Sequence, residues 1–564
     1  PLEGKFERRE WLALSIALLW VVHPVQTQSV TYIVQRMNSM AGMFYLLSLY
    51  LYVRGRLGET KRTKIWCYSG SGVSGLLALG SKEIAVTLPL MLALYEFYFF
   101  RGLDLRIIKR RWPWVISILV IFLIVVLVYM GPNFIGRVLT GYQYRDFTLG
   151  ERLLTQLRVV MYYLSLLIFP SPSRLNLDYD FPVSHSLLDP ATTLFSLLGL
   201  IGLIGLGVYL ARRRPLASFG IFWFLGNLVV ESSVIPLEMV FEHRLYLPLL
   251  GFLLFLAGIA GRKDKGRIFI YGAIIVIPVF SVWTFQRNIV WNDELALWAD
   301  CVKKSPNKAR PHNNLGLAYA TKGMYDEAIR EYQQALRLEP DYVEAHTNLG
   351  NVYAKRGMYD EAIKKYQQAL KLEPYSAKLF FNLGKIYEDR SMFDEAVRLY
   401  QQALDIRPDH VESLYNLGNT YAKMEKYDEA IRKYQRALSL ESDSVSVWIN
   451  LGIVYAEKGM SDDAIRQYQQ ALQINPDYTK AHMLLGDSYA KKGMSDEAAK
   501  EYRDTLEIKP DFAEAHYKLG VIYYFRGQYN LSVQCTKNAE KLGYPIPLEF
   551  REMLQKVSEW PENK

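Results

Sequence analysis

The sequence predicts an all-α fold in two parts, a polytopic helical membrane domain followed by an α-solenoid. Three observations carry that prediction. Residues 10–287 are apolar and aromatic, with long uncharged runs such as WLALSIALLWVV. Residues 290–564 are charged and helical in composition. From residue 309 the text repeats every 34 residues, as stacked helical units do. The 564 residues leave room for several domains. The division expected is 1–288 for the membrane domain, 289–308 for a connector helix, 309–546 for seven repeats, the last degenerate, and 547–564 for a tail. Cys67, Cys301 and Cys535 lie far apart with no CxxC pair, which points to neither a zinc site nor a disulfide framework. The chain opens on Pro1 rather than Met, so further sequence is expected upstream.

A helix needs about 20 apolar residues to cross the hydrocarbon core. Spans are expected near 10–24, 37–53, 64–80, 84–100, 112–130, 190–210, 216–234, 245–261 and 268–287. Basic loops mark the cytoplasmic side. These are Arg54–Lys64, Arg101–Arg111, Arg212–Arg214 and Arg262–Arg267. The segment 151–169 is long enough to span, but a span there would put Arg212–Arg214 outside. Its Glu151, Arg152, Gln156 and Arg158 fit an amphipathic helix on the outer interface instead.

The outward loops are then HPVQTQSVTYIVQR at 23–36, SKE at 81–83, the stretch after 169, and 230–244. They collect His23, Gln26, Arg36, Lys82, Glu83, Asp178, Asp180, Glu242 and Arg244. Each residue singly is an ordinary interfacial cap or snorkelling anchor. Together, with both signs on one face, they make a site, because ionisable groups at the membrane edge are costly to desolvate.

In the second half a Leu-Gly pair recurs at Gly316, Gly350, Gly384, Gly418, Gly452, Gly486 and Gly520. A Tyr follows three residues later each time. Another falls at 332, 366, 400, 434, 468 and 502, and Pro closes most units. This resembles the tetratricopeptide repeat. A column of amides precedes the Leu-Gly at Asn314, Asn348, Asn382, Asn416 and Asn450, then fails at Leu484 and Lys518. Amides at fixed pitch suit an extended peptide backbone, which offers a donor and an acceptor per residue. The units resemble those of the nucleocytoplasmic O-linked N-acetylglucosamine transferase, where such a ladder grips the acceptor. The other reading is that Asn is simply common here and faces the groove. The histidines at 312, 346, 482 and 516 stand a repeat or more apart, too far to share a metal, and read as packing.

HPVQTQSVTYIVQR, SKEIAVTLPLMLALYEF, FEHRLYLPLLGF and WNDELALWADCVKKSPNKARPHNNLG occur in that order. Together they resemble the family of transmembrane proteins with tetratricopeptide repeats, type-C glycosyltransferases related to the protein O-mannosyltransferases. The wording looks bacterial, so the resemblance implies an inner membrane with the repeats on its outer side. It implies transfer of a sugar from a polyprenyl-phosphate donor to hydroxyls of exported proteins, which are bound by the repeats. It further implies that Lys82, Arg244 and Arg36 serve the lipid phosphate, and that His23, Gln26, Glu83, Asp178, Asp180 and Glu242 line the cavity. The family's catalytic acid lies in an outward loop expected upstream of Pro1. No cofactor, metal or nucleic-acid partner is expected beyond the lipid-linked donor. The alternative is a non-catalytic, membrane-anchored peptide-binding scaffold.

Overall fold

A computed structural model describes residues 3–28, 36–104, 106, 134–142, 145–233, 235–260 and 265–557. Among them the regular structure is helical throughout, with no strand. The span expected at 112–130 lies outside the described residues. The chain divides into two compact units, 1–338 and 339–564.

Unit 1 opens with α1 (Glu3–Val22), α2 (Arg36–Leu57) and α3 (Lys61–Ser81). A 3-10 turn at Glu83–Thr87 leads into α4 (Leu88–Tyr95), which continues as a π-helical turn over Glu96–Phe100. The span expected at 84–100 is therefore helical but not uniform. Pro89 starts the α-helical part. The widened end follows Glu96, whose carboxylate accepts from Arg56 Nε at 2.9 Å, Arg101 Nε at 2.8 Å and Tyr52 Oη at 3.0 Å. Single π turns of this kind sit where a side chain must be re-aimed.

There follow α5 (Phe134–Gly141), α6 (Leu149–Ile168), α7 (Thr192–Leu210), α8 (Pro215–Leu228), α9 (Pro248–Ala260), α10 (Lys265–Trp291) and α11 (Glu294–Lys304). Three described segments are long and apolar enough to cross a membrane: Glu83–Phe100, Thr192–Leu210 and Ile268–Trp291. Glu10–Val22, Pro215–Leu228 and Pro248–Ala260 are shorter apolar helices. α8 and α9 touch backbone to backbone. A Cβ built on Gly251 would stand 2.6 Å from Gly220 O and 2.7 Å from Phe224 N. Small residues allow this approach between apolar helices, where close packing replaces the hydrophobic effect as the attraction.

α6 begins with a full capping box between Thr148 and Glu151. Its buried face is partly polar: Arg152, Thr155, Gln156, Val159, Tyr163 and Leu167 point into the protein. Leu153 and Ile168 are exposed. The polar residues that suggested a water-facing side have an inward task. Arg152 donates to Ser233 O and Glu231 O, both at 2.9 Å, and to Leu237 O. Gln156 donates to Met239 O at 3.0 Å, and the Tyr163 hydroxyl accepts from Phe241 N at 2.9 Å. The helix is a rack on which residues 231–241 hang.

The first repeat, α12 (Ala309–Thr321) and α13 (Tyr325–Leu338), falls within unit 1. Unit 2 holds the pairs α14 (Val343–Lys355) and α15 (Tyr359–Leu372), α16 (Ala377–Asp389) and α17 (Phe393–Ile406), α18 (Val411–Lys423) and α19 (Tyr427–Leu440), α20 (Val445–Glu457) and α21 (Ser461–Ile474), α22 (Thr479–Lys491) and α23 (Ser495–Ile508), and α24 (Ala513–Phe525) and α25 (Tyr529–Lys541). A last helix, α26 (Leu548–Val557), buries Phe550 and Leu554 as a cap. In the first six pairs the Leu-Gly glycine lies against the tyrosine ring of the second helix, and in the seventh Gly520 faces Thr536. A Cβ on Gly350 would meet Tyr366 Cε1 at 2.7 Å. The six tyrosines from 332 to 502 are at most 2% exposed. Only glycine leaves room for that ring.

Candidate functional site

The polar loop residues separate into two groups. One group is spent on internal pairing. His23 ends α1, where its Nδ1 accepts from Val25 N at 3.3 Å and its Nε2 lies 3.1 Å from Leu167 O. Both ring nitrogens are occupied, so His23 fixes the turn rather than lining a cavity. Asp178 is 3% exposed and takes Lys308 Nζ at 3.0 Å and Arg310 Nε at 2.6 Å. Asp180 is exposed, with Asn307 Nδ2 at 3.3 Å. Glu238 binds Arg145 at 2.6 Å and Arg310 at 3.4 Å. Burial would raise its pKa, but Arg310, Lys308 and Arg145 overcome that and hold the carboxyl below its usual value. Glu242 is fully buried, accepts from Tyr179 Oη at 2.9 Å and faces Arg287 Nη2 at 3.6 Å. Burial pushes its pKa up against the pull of Arg287. Asp178 and Glu242 therefore serve as ion-pair anchors, not as lining. Asp178 and Glu238 clasp the start of the first repeat to the loops of unit 1.

The second group comes from the loop segments around residues 26–28, 82–83 and 231–244. Lys82 caps α3, half-buried, in the electrostatic company of Glu231, Glu83 and Arg244. Desolvation lowers its pKa despite those carboxylates. Arg244 is 1% exposed; it donates to Glu238 O at 2.8 Å and Met239 O at 3.1 Å. Its Nε lies 3.8 Å from Glu231 Oε2. His243 is buried beside both cations, which together with desolvation hold its pKa well below the usual value, so the ring is neutral. Among the described residues, Gln26 Nε2 and Oε1, His243 Nδ1 and Arg244 Nε have no hydrogen-bond partner. Gln28 joins the first loop to this group by accepting from His243 N at 2.9 Å. Glu83 is exposed at its edge. Arg36 begins α2, and its side chain lies outside the described residues. Buried polar atoms without partners are rare in native structures and mark places where something else completes the bonding. Lys82 and Arg244 beside the Glu231 carboxylate, with an amide and a neutral imidazole on the neighbouring loops, are groups of the kind that hold a phosphate ester.

In the repeats the five asparagines are half-buried. Asn382 Nδ2 donates to Asn351 Oδ1 at 3.3 Å and Asn450 Nδ2 to Asn419 Oδ1 at 2.9 Å. The same two acceptors take Tyr366 Oη and Tyr434 Oη, each at 2.6 Å. Where the amide column has become lysine, Lys518 binds Asp487 at 2.7 Å, and Asp487 also takes Tyr502 Oη at 2.8 Å. These joints link the second repeat to the third, the fourth to the fifth and the sixth to the seventh. The position after the glycine signals them: Asn351, Asn419 and Asp487 alternate with Lys385, Ile453 and Val521. The first-column amides therefore stiffen the array as well as face its groove. Beyond the column the groove deepens into a cavity of about 520 Å³, with Leu484, Asp487, Tyr502, Tyr517 and Lys518 in its wall.

His482 sits between Glu501 Oε2 at 2.7 Å from Nδ1 and Pro476 O at 2.8 Å from Nε2. Two acceptors demand two ring protons, hence an imidazolium. Glu501 raises its pKa above 6.5, outweighing desolvation. A raised folded pKa contributes stability that is full below the unfolded value and lost as pH rises through the folded value. The melting temperature of the array is therefore expected to fall as the pH climbs above that of an ordinary histidine. His482→Gln should flatten that slope; an unchanged slope would refute the pairing. Glu501 and Asp504 place oxygens within 4.8 Å of the His482 donor atom, but both of its ring nitrogens are already engaged.

Family models described as TPR repeat match residues 318–357, 350–391 and 486–527, and one described as tetratricopeptide repeat matches 375–443 and 409–477. The chain is 26% identical over 396 residues to the protein O-mannosyl-transferase Tmtc3 of Drosophila melanogaster, covering 60% of this chain and 42% of that protein. It is 24% identical over 349 residues to the protein O-mannosyl-transferase F38B6.6 of Caenorhabditis elegans, covering 58% and 46%. It is 25% identical over 352 residues to human protein O-mannosyl-transferase TMTC3, covering 57% and 38%. The matched region thus spans less than half the length of these relatives. Among solved structures, MamA aligns at 28% identity and a TM-score of 0.28 over 29% of this chain and 97% of its own. YrrB, described as a TPR protein with an unusual peptide-binding site, aligns at 23% and 0.29 over 33% and 95%. The chain therefore carries tetratricopeptide repeats in its second half and is similar, over about 60% of its length, to proteins named protein O-mannosyl-transferase.

Proposed function

We propose that the chain belongs to the machinery of a membrane glycosyltransferase. It moves a sugar from a polyprenyl-phosphate donor to hydroxyls of exported proteins, at the outer face of a bacterial inner membrane. The repeats hold the acceptor polypeptide. The observation that carries this reading is the cluster of Lys82, Arg244 and Glu231 with the unpartnered Gln26 amide and His243 Nδ1.

The leaving phosphate gains negative charge as the sugar departs. Fixed cations in a water-poor site stabilise that charge more than water does. Lys82 and Arg244 take this role, with Glu231 holding Arg244 in place. Gln26 and His243 offer one donor and two acceptors for sugar hydroxyls. Asp178, Glu238 and Glu242 are committed to cations, and none is assigned as the base.

The test is retention of polyprenyl phosphate by the purified protein in nanodiscs. Lys82→Gln removes a charged contact, so affinity should drop about tenfold, with the melting temperature followed as a control for folding. Undiminished retention by a folded variant would overturn the donor reading. If acceptor peptides still bound, a membrane-anchored peptide-binding scaffold would take its place, a reading favoured by the half-buried amide column.

A further inference from the structure

The end of α10, the turn after α6 and α11 enclose a second polar cavity, of about 490 Å³, lined by Pro172, Ser173, Arg287, Val290, Asp300, Lys303 and Lys304. We infer that this cavity is a binding site for a phosphate-bearing group, the headgroup of an acidic phospholipid at the membrane edge.

Arg287 carries the argument. It is 1% exposed, yet it lines the cavity. Nη1 donates to Asp300 Oδ2 at 3.0 Å. Among the described residues Nε and Nη2 donate to nothing; the nearest carboxylate to Nη2, that of Glu242, stands off at 3.6 Å. A buried guanidinium with unmade bonds is costly and calls for an acceptor. Lys304 adds charge but no donor, because its ammonium is spent on Pro172 O, Leu175 O and Asp300 Oδ2. Lys303 is exposed at the rim and supplies the mobile contact. Three cations against the carboxylates of Asp300 and Glu242 leave the cavity positive.

The surroundings favour a lipid as the source. Phe285 and Ile289 on α10 are 66% and 52% exposed, and Ile168 and Phe169 at the end of α6 are 66% and 53% exposed. Phe169 packs edge-on against Trp283 at 5.2 Å, which joins the two elements into one apolar skirt. Acyl chains lie on such a skirt while the phosphate reaches the guanidinium. The inference does not rest on the donor reading, since Lys82 and Arg244 take no part in it.

The test uses the full chain in detergent and native mass spectrometry with phosphatidylglycerol, phosphatidylcholine and inorganic phosphate as probes. Preferential retention of phosphatidylglycerol is expected, reduced about tenfold by Lys303→Gln and unaffected by Arg213→Gln on the opposite basic loop. Arg287→Gln should abolish the preference; because Arg287 also pairs with Asp300, Lys303→Gln carries the test if that variant fails to fold. If phosphatidylglycerol gains nothing over phosphatidylcholine, but inorganic phosphate raises the melting temperature of the wild type and not of Lys303→Gln, the anion site stands and its lipid source falls. Equal retention of both lipids with no phosphate effect overturns the inference. So does a phosphatidylglycerol preference that Lys303→Gln leaves intact.

Discussion

Gly251→Val is expected to destabilise the membrane half by about 3 kcal/mol or more, because overpacking against immobile atoms leaves no cheap relaxation. The atoms in the way are Gly220 O and Phe224 N, main-chain atoms of α8 inside its helical hydrogen-bond ladder. A side chain can rotate aside; a helix backbone must translate. Moving α8 away from α9 also moves both ends of the loop between them, which carries Glu231 and Arg244. The variant should therefore lose thermal stability and polyprenyl-phosphate retention together. Gly205→Val is the control, since a Cβ at Gly205 meets nothing within 4 Å. A Gly251→Val protein as stable as Gly205→Val would show that the two helices do not pack at this separation.

The second large effect is expected from Arg152→Met. It preserves side-chain length and removes the donors that hold Glu231 O, Ser233 O and Leu237 O. Leaving buried carbonyl acceptors unpaired costs about 1–3 kcal/mol each. The loss should be local at first. Residues 230–244 are expected to become accessible to limited proteolysis well below the melting temperature of the rest, and Lys at 152 should restore part of the protection. Arg158→Met should do far less, because Arg158 donates only to Pro182 O and Ser184 Oγ and is partly exposed. Equal protease resistance in Arg152→Met and wild type would remove α6 from its role as the rack for this loop.

These two residues also show where the sequence speaks and where it is silent. The helical fold follows from periodicity, and the 34-residue register announces the glycine–tyrosine contacts before any coordinates. Gly251 looks like one more small residue in an apolar run, because the run does not say which neighbour approaches it. Arg152 looked like a water-facing group because polar residues on an amphipathic helix usually are; its carbonyl partners lie some 80 residues away. The same distance hid the division among the outward acids. Asp178 and Glu242 carry the composition of a site, but Arg310 and Arg287, far along the chain, claim them. Lys82 and Arg244 lie in one electrostatic neighbourhood with Glu231. His23 does not join them, since its turn and Leu167 use up both nitrogens.

The alternation of joints along the groove changes what counts as one module of the array. By sequence the module is 34 residues; for the joint at this one position it is twice that, because Asn351, Asn419 and Asp487 recur in every second repeat, while other pairs, Lys423 with Glu388 and Lys492 with Asp462, link the repeats in between. Removing residues 375–442, two repeats, sets Asn351 against Asn450 and keeps a matched pair of amides. Removing 409–442 alone sets Lys385 against Asn450, and that joint has no acceptor. Lengthening or shortening the groove by even steps thus preserves these joints, whereas an odd step leaves one of them unmade. The chemistry of this one position makes the doublet, not the single repeat, the step by which the groove can be lengthened or shortened with these joints intact.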